Sequence, residues 1–251
     1  MSEERLNKYL AKCGFGSRRF CDTIIDEGRV KINDQTVEKG QKVDTENDIV
    51  TVDGKDVKPT AAYEYYLYHK KTGTIVSKND PHNPYTIYDA LKEVGLDAEH
   101  LHYVGRLDKD SEGALLLTND GDLIHAITHP RFHIKKTYWV EVAHKVKEQN
   151  LKLLVDDGVM SEEQLLHAGA VRDKGELNGY YCYEVDLYEG KNRQVRRLFA
   201  AIGHEVVRLK RTQFANITLR DLPAGAFRKL EEREIKGLLG KGFKVNKKRG
   251  S

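Results

Sequence analysis

From Gly105 to Gly121 the chain reads GRLDKDSEGALLLTNDG. Asp108, Asp110 and Glu112 stand at every second position, and Gly113 follows. This is how a calcium loop begins, with oxygen ligands at its first, third and fifth positions and glycine at its sixth. Such a loop also needs a bidentate glutamate at its twelfth position. Counted from Asp108, that position is Asn119, and Leu115, Leu116 and Leu117 fill the eighth to tenth. Three consecutive leucines predict a buried strand, which a cation loop does not contain, so calcium is set aside. A solvated turn accounts for Asp110 and Glu112. It does not account for Arg106-Leu107-Asp108 directly before a buried strand. A carboxylate on a turn anchored by such a strand is held rigidly, which suits a nucleophile.

Other chemistry is less well supported. His125, His129 and His133 are spaced as helical metal ligands would be, but Pro130 interrupts a helix through them and no HExxH glutamate is present. Cys13, Cys21 and Cys182 are odd in number and far apart, which makes neither a disulfide framework nor a zinc pair. The glycines near 190 and 240 do not continue into a phosphate loop.

The elements that must position Asp108 fit within 251 residues, enough for one large domain or a small and a medium one. With 32% of residues charged the chain is expected to be soluble. No apolar run approaches the roughly 20 residues of a membrane span, and MSEERLNKYL lacks a signal-peptide core, so a cytoplasmic location is expected. The net charge of +3 is unevenly placed. Between residues 191 and 211 stand Lys191, Arg193, Arg196, Arg197, Arg208, Lys210 and Arg211, against Glu205 alone. Local basic density of this kind points to a polyanionic partner. The tail, 241–251, is basic without an acid and is read as disordered.

Residues 4–13 predict an amphipathic helix with Leu6, Tyr9 and Leu10 on one face. Ser17 is placed to cap a second helix through Glu27, with Phe20, Cys21, Ile24 and Ile25 inward and Gly28 as its stop. Short strands follow around Val30–Ile32 and Ile49–Val52. A linker is expected at 60–64, a strand over Tyr63–Lys70 and a helix over about 86–94, before irregularly alternating elements.

Two resemblances join these pieces. Arg5-Leu-Asn-Lys-Tyr-Leu10, Ser17-Arg-Arg19 and Gly28-Arg-Val-Lys-Ile-Asn33, in that order, resemble the S4 RNA-binding module. Gly105-Arg-Leu-Asp108, Ser111-Glu-Gly113 and the leucine run resemble the signature of the RsuA/RluB/RluF family of ribosomal RNA pseudouridine synthases. His69-Lys-Lys-Thr-Gly73, Lys136-Thr-Tyr138 with Trp-Val, and Glu189-Gly-Lys-Asn-Arg-Gln-Val-Arg-Arg197 match further motifs of that family. The likeness runs over about residues 3–232. Lys71 departs from a usual proline and Ser111 from a usual threonine, and neither change touches the acid.

The resemblance implies an α+β fold. An S4 module (1–59) precedes a catalytic domain (65–240) with a mixed, largely antiparallel sheet flanked by helices. It implies isomerisation of uridine to pseudouridine without metal or cofactor, on ribosomal RNA or a pre-ribosomal particle, by a monomer. Asp108 is then the required carboxylate, either attacking C1′ or abstracting a ribose proton. An aspartate with a reference pKa of about 3.9 is ionised at neutral pH, and a neighbouring cation keeps it so. Arg196 is the expected cation, and Tyr138 the expected ring beneath a flipped uracil. Arg106, Lys136, Arg193, Arg197 and Arg211 are expected phosphate contacts, with Arg5, Lys8, Arg18 and Arg19 on the S4 face. Asn79-Asp-Pro81 and Pro84-x-Thr86 look more like the RluB branch, which favours 23S over 16S rRNA. A non-catalytic ribosome-assembly factor and a retaining glycosidase are the competing readings. The latter needs a second carboxylate about 5–5.5 Å away, and nothing aims Asp110 or Glu112 at a sugar.

Overall fold

The structure, a computed structural model, describes residues 3–59, 62–82 and 84–239. Residues 60 and 61 of the expected linker, residue 240 and the basic tail lie outside the described residues. Two compact units are present, one of residues up to 64 together with 119–121, the other of the remainder from 65 onward.

The first unit runs β1 (Glu3–Arg5), α1 (Leu6–Lys12), α2 (Arg18–Asp26), β2 (Val30–Ile32), β3 (Gln35–Thr36), β4 (Lys42–Asp44), β5 (Val50–Val52) and β6 (Lys55–Asp56). The first helix starts later than its pattern predicts, because Glu3–Arg5 pairs antiparallel with Lys42–Asp44. Leu6, Tyr9 and Leu10 then pack against Cys21, Ile24 and Ile25 of α2 and the valines of the small sheet. Ser17 caps α2 by accepting the Phe20 N–H. Phe20 itself is not inward but 51% exposed. The stripe of Cys21, Ile24 and Ile25 faces the core, and Phe20 falls at its edge, near Gly16. Burial pushes the Cys13 thiol up to about 12 and that of Cys21 to about 11, so neither is a ready nucleophile.

The second unit opens with β7 (Tyr65–Lys70), α3 (Ile87–Glu93), β8 (His102–Val104), β9 (Glu112–Thr118) and α4 (Gly121–Thr128). It continues with β10 (Lys136–Val142), α5 (Glu148–Val155), β11 (Val159–Ser161), β12 (Gln164–Leu166), β13 (Ala170–Leu177) and β14 (Tyr180–Leu187). It ends with α6 (Gln194–Ala201), β15 (Val206–Phe214), β16 (Ile217–Thr218), β17 (Phe227–Lys229) and α7 (Glu232–Leu239). Nine strands form one sheet in the order β13-β14-β10-β15-β9-β7-β17, with β16 on β15 and β8 on β9. Its ladders are antiparallel except that of β9 and β15. Helix α3 begins where Thr86 and Asp89 form a reciprocal cap, and α4 stops before Pro130.

The leucine triplet is the middle of β9. Successive side chains of a strand point to opposite faces. Leu115 and Leu117 pack with α3, α5 and α6 on one face. Ala114 and Leu116 pack with α4 and α7 on the other. Burial on both faces is why this strand reads as a continuous apolar run. Each leucine so buried contributes about 1.5–3 kcal/mol. Gly113 lets β15 lie against the start of this strand. A Cβ there would sit 2.3 Å from the Arg211 carbonyl oxygen and 2.6 Å from its nitrogen. The backbone at Gly113 also has φ +117°, which side-chain-bearing residues rarely adopt.

Candidate active site

Asp108 lies on the loop 105–111 between β8 and β9. Backbone carbonyls in such a loop must find donors if they are to be buried. Two buried cations supply them. Lys70, at the end of β7, is fully buried. Its Nζ donates to the carbonyls of Asp108 at 3.0 Å, Ser111 at 2.7 Å and Lys71 at 3.0 Å. Burial pushes this ammonium down to about 8, and Asp108 and Asp110 pull partly against that. Arg211 of β15 is 2% exposed. Its Nε donates to the Ala114 carbonyl at 2.7 Å, and its Nη1 to that of Arg106 at 3.4 Å. The Gly73 N–H completes the set on the Lys109 carbonyl at 2.7 Å. The acid is therefore mounted on backbone held from beneath.

Above this mounting is a cavity of about 540 Å³, lined among others by Arg106, Asp108, Lys136, Tyr138, Arg193 and Arg211. That volume suits a small-molecule or nucleoside-sized group. Asp108 has a side chain 37% exposed, and Tyr138 is 9% exposed. Tyr138 on β10 is paired directly with Arg211 on β15, so the register of two strands brings both residues to the cavity. Among the described residues, Ser111 Oγ and Arg211 Nη2 are buried there without a hydrogen-bond partner.

The cation beside Asp108 is not the expected one. Arg193 caps α6 in the left-handed region, at φ 47°. Its guanidinium grips Asp110 with bonds of 3.1 and 2.9 Å, and its Nη1 stands 3.9 Å from Asp108 Oδ2. Arg196, the expected partner, donates to the carbonyls of Val206 at 2.7 Å and Asp110 at 2.9 Å. Its ion pair is with Asp110, at 3.2 Å. It stands three residues beyond Arg193, nearly one helical turn, and reaches the base of the loop at Asp110 rather than the acid. Asp110 is thus the anchor for two arginines, and Arg193 holds its carboxyl below the usual range.

The remaining expected cations divide sharply. Arg197 is committed to the β11–β12 hairpin through Ser161 and Gln164, with Glu162 at 3.4 Å. It does not line the cavity. Arg208 pairs with Glu112 at 2.7 Å and Glu141 at 3.2 Å. Much of the basic stretch is therefore neutralised by acids from distant segments. Arg106 lines the cavity and is exposed. Lys136 also lines it, and burial followed by Arg211 pushes its ammonium down to about 8. In the first unit Arg5, Arg18 and Arg19 are exposed, while Lys8 stands 3.8 Å from Glu4.

Lys70 and Gln194 also shape the site. Lys70 was legible only as part of a motif, although a lysine ending an apolar strand already asks for buried partners. Gln194 ties the cavity wall together. Its Nε2 donates to Glu189 and to the His167 carbonyl, and its Oε1 accepts the Lys191 N–H.

The comparisons with known proteins place the fold and this cavity in one family: the chain belongs to the RNA pseudouridine synthases. The RNA pseudouridylate synthase family matches residues 64–201, and the S4 domain matches residues 4–50. The chain is 37% identical to ribosomal large subunit pseudouridine synthase B of Bacillus subtilis (strain 168), over 94% of this chain and 95% of that one. It is 34% identical to the protein of the same name from Vibrio cholerae, over 92% of this chain and 73% of that one. A crystal structure of a pseudouridylate synthase superposes with a TM-score of 0.64 at 30% identity, over 93% of this chain and 99% of the other. The family and fold expected from the motifs are thereby confirmed, and the chain is an RNA-modifying isomerase.

Proposed function

We propose that this chain converts a specific uridine of large-subunit ribosomal RNA to pseudouridine, with Asp108 as the acting carboxylate. The observation that carries the assignment of the acid is its mounting. Asp108 reaches the cavity from a loop whose carbonyls are bonded to Lys70 and Arg211, the latter also holding the Ala114 carbonyl of β9. Rigid placement of the reacting group is what such a reaction needs.

The target uridine leaves its stack, at a cost of a few kcal/mol. Its base lies on Tyr138, whose ring lines the cavity. Asp108 then acts at the ribose, by attack at C1′ or by removing a ribose proton, and the C1′–N1 bond breaks. The freed uracil turns and C5 bonds to C1′, as the Asp108–C1′ bond breaks on the first route or as Asp108 returns the proton to the ribose on the second, and the C5 proton is lost as N1 gains one. Atoms balance, so the step is an isomerisation. Arg193 Nη1, 3.9 Å from Asp108 Oδ2, is the cation beside the acid. The exposed Arg5, Arg18 and Arg19 of the S4 unit add contacts to RNA phosphates. The relatives' names support the large-subunit RNA as substrate.

The test is to treat transcribed 23S and 16S rRNA with the protein and map pseudouridine by primer extension after carbodiimide treatment. A single new stop in 23S rRNA is expected. A stop confined to 16S rRNA would move the substrate, and none in either would remove the reading.

A further inference from the structure

We propose that Lys136 and Arg211 form a seat for one backbone phosphate of the RNA strand that carries the target nucleotide. This deepens the reading of the cavity as a uridine site and rests on it.

Of the five cations expected to hold phosphate, Arg193 and Arg197 are bound to carboxylates, and Arg106 is exposed at the cavity. Lys136 and Arg211 are different. Both line the cavity, and among the described residues neither has an ion pair. They flank the buried ring of Phe214, with Lys136 Nζ 5.8 Å and Arg211 Cζ 5.2 Å from its centroid. Burial lowers the Lys136 pKa first, the like charge of Arg211 lowers it further, and Glu189 pulls partly against both. The carboxylates of the cavity have nearer partners than these two cations. Asp108 faces Arg193, and Glu189 holds Gln194 and Lys191.

The donors are also unspent. Lys136 uses one of its three on the Ile134 carbonyl, at 3.1 Å. Arg211 uses Nε on β9 at Ala114 and Nη1 on the loop at Arg106, while its Nη2 is buried without a partner among the described residues. An unpaired buried donor of this kind is expensive unless a ligand meets it. Base and ribose are neutral, so neither removes the repulsion. A phosphodiester carries the needed charge and accepts from both groups at once. The seat then fixes the strand beside the flipped base and keeps Lys136 protonated while RNA is bound.

Lys136 gives the cleaner test, because Arg211 also braces the loop. Affinity of the full chain for transcribed 23S rRNA is measured by filter binding across a potassium chloride series for wild type, Lys136→Gln and Lys136→Arg, with a melting curve for each. Loss of one phosphate contact should weaken binding about tenfold or more and reduce the slope of log affinity against log salt by about 0.7–0.9. Lys136→Arg should restore both values. An unchanged slope in Lys136→Gln, or an arginine variant as weak as the glutamine one, would overturn the seat. Wild-type protein that bound the RNA but formed no pseudouridine would remove the isomerase reading and leave this comparison intact.

Discussion

Lys70→Met removes the cation that holds the Asp108 loop while keeping a side chain of similar reach. Three carbonyls, of Lys71, Asp108 and Ser111, lose a charged donor at 2.7–3.0 Å. Bonds of that kind contribute roughly 1.5–3 kcal/mol each, or about 5–9 kcal/mol together. The substitution also removes a buried charge. Bringing that ammonium from its ordinary 10.5 down to about 8 corresponds to roughly 3 kcal/mol. The net loss is about 2–6 kcal/mol, and the exposed parts of the loop hold it toward the lower end by turning to water. Activity should suffer more, because a displacement of about 1 Å at the acid costs on the order of a hundredfold. Denaturant unfolding and release of tritium from C5-labelled rRNA measure the two effects separately. The pH dependence carries a further sign. Between about 8 and 10.5 the unfolded chain holds a proton on Lys70 that the folded chain has lost. Wild-type stability therefore gains from this group as pH rises through that window, and the gain should be missing from Lys70→Met. A variant within threefold of wild-type kcat/KM would refute the bracing role.

Gly113→Ala places a methyl group 2.3 Å from the Arg211 carbonyl oxygen and should cost about 3 kcal/mol or more in denaturant unfolding. Gly175→Ala, with open space around it at φ +82°, should cost only about 1 kcal/mol, so equal losses would contradict the close approach of β9 and β15. Arg193→Gln should lower kcat about a hundredfold with little change in melting temperature. Arg196→Gln, which strands the carbonyls of Asp110 and Val206, should instead lower the melting temperature clearly, and a reversed pattern would return the cation role to Arg196. Tyr138→Ala should weaken rRNA turnover by about 1–3 kcal/mol of lost stacking, while Tyr138→Phe keeps it. If the phenylalanine variant loses kcat alone, the hydroxyl moves a proton.

Elements whose pattern depends on their own residues were the legible ones. The leucine run predicted a buried strand because both of its faces are covered. Ser17 and Pro130 marked helix boundaries through local backbone chemistry. Partners distant in sequence were not legible. The basic stretch showed its charge, but nothing in it revealed that Asp110, Glu112, Glu141 and Glu162 would neutralise four of its arginines. For the same reason Arg196 was placed beside Asp108 by motif, whereas the left-handed turn at Arg193 brings that residue closer. Phe20 was misplaced because a nine-residue helix leaves room for only a narrow inward stripe. Among the described residues no helix is long and apolar enough to cross a membrane.

The most direct measurement is release of tritium from C5-labelled 23S rRNA by wild type and by Asp108→Asn, with RNA affinity determined for both. Asparagine keeps the shape of the side chain and removes its charge and basicity. Wild type should release tritium and form pseudouridine, while Asp108→Asn binds the RNA with similar affinity and releases none above background. Equal release by the two proteins would show that another group does the chemistry and would contradict the assignment of Asp108.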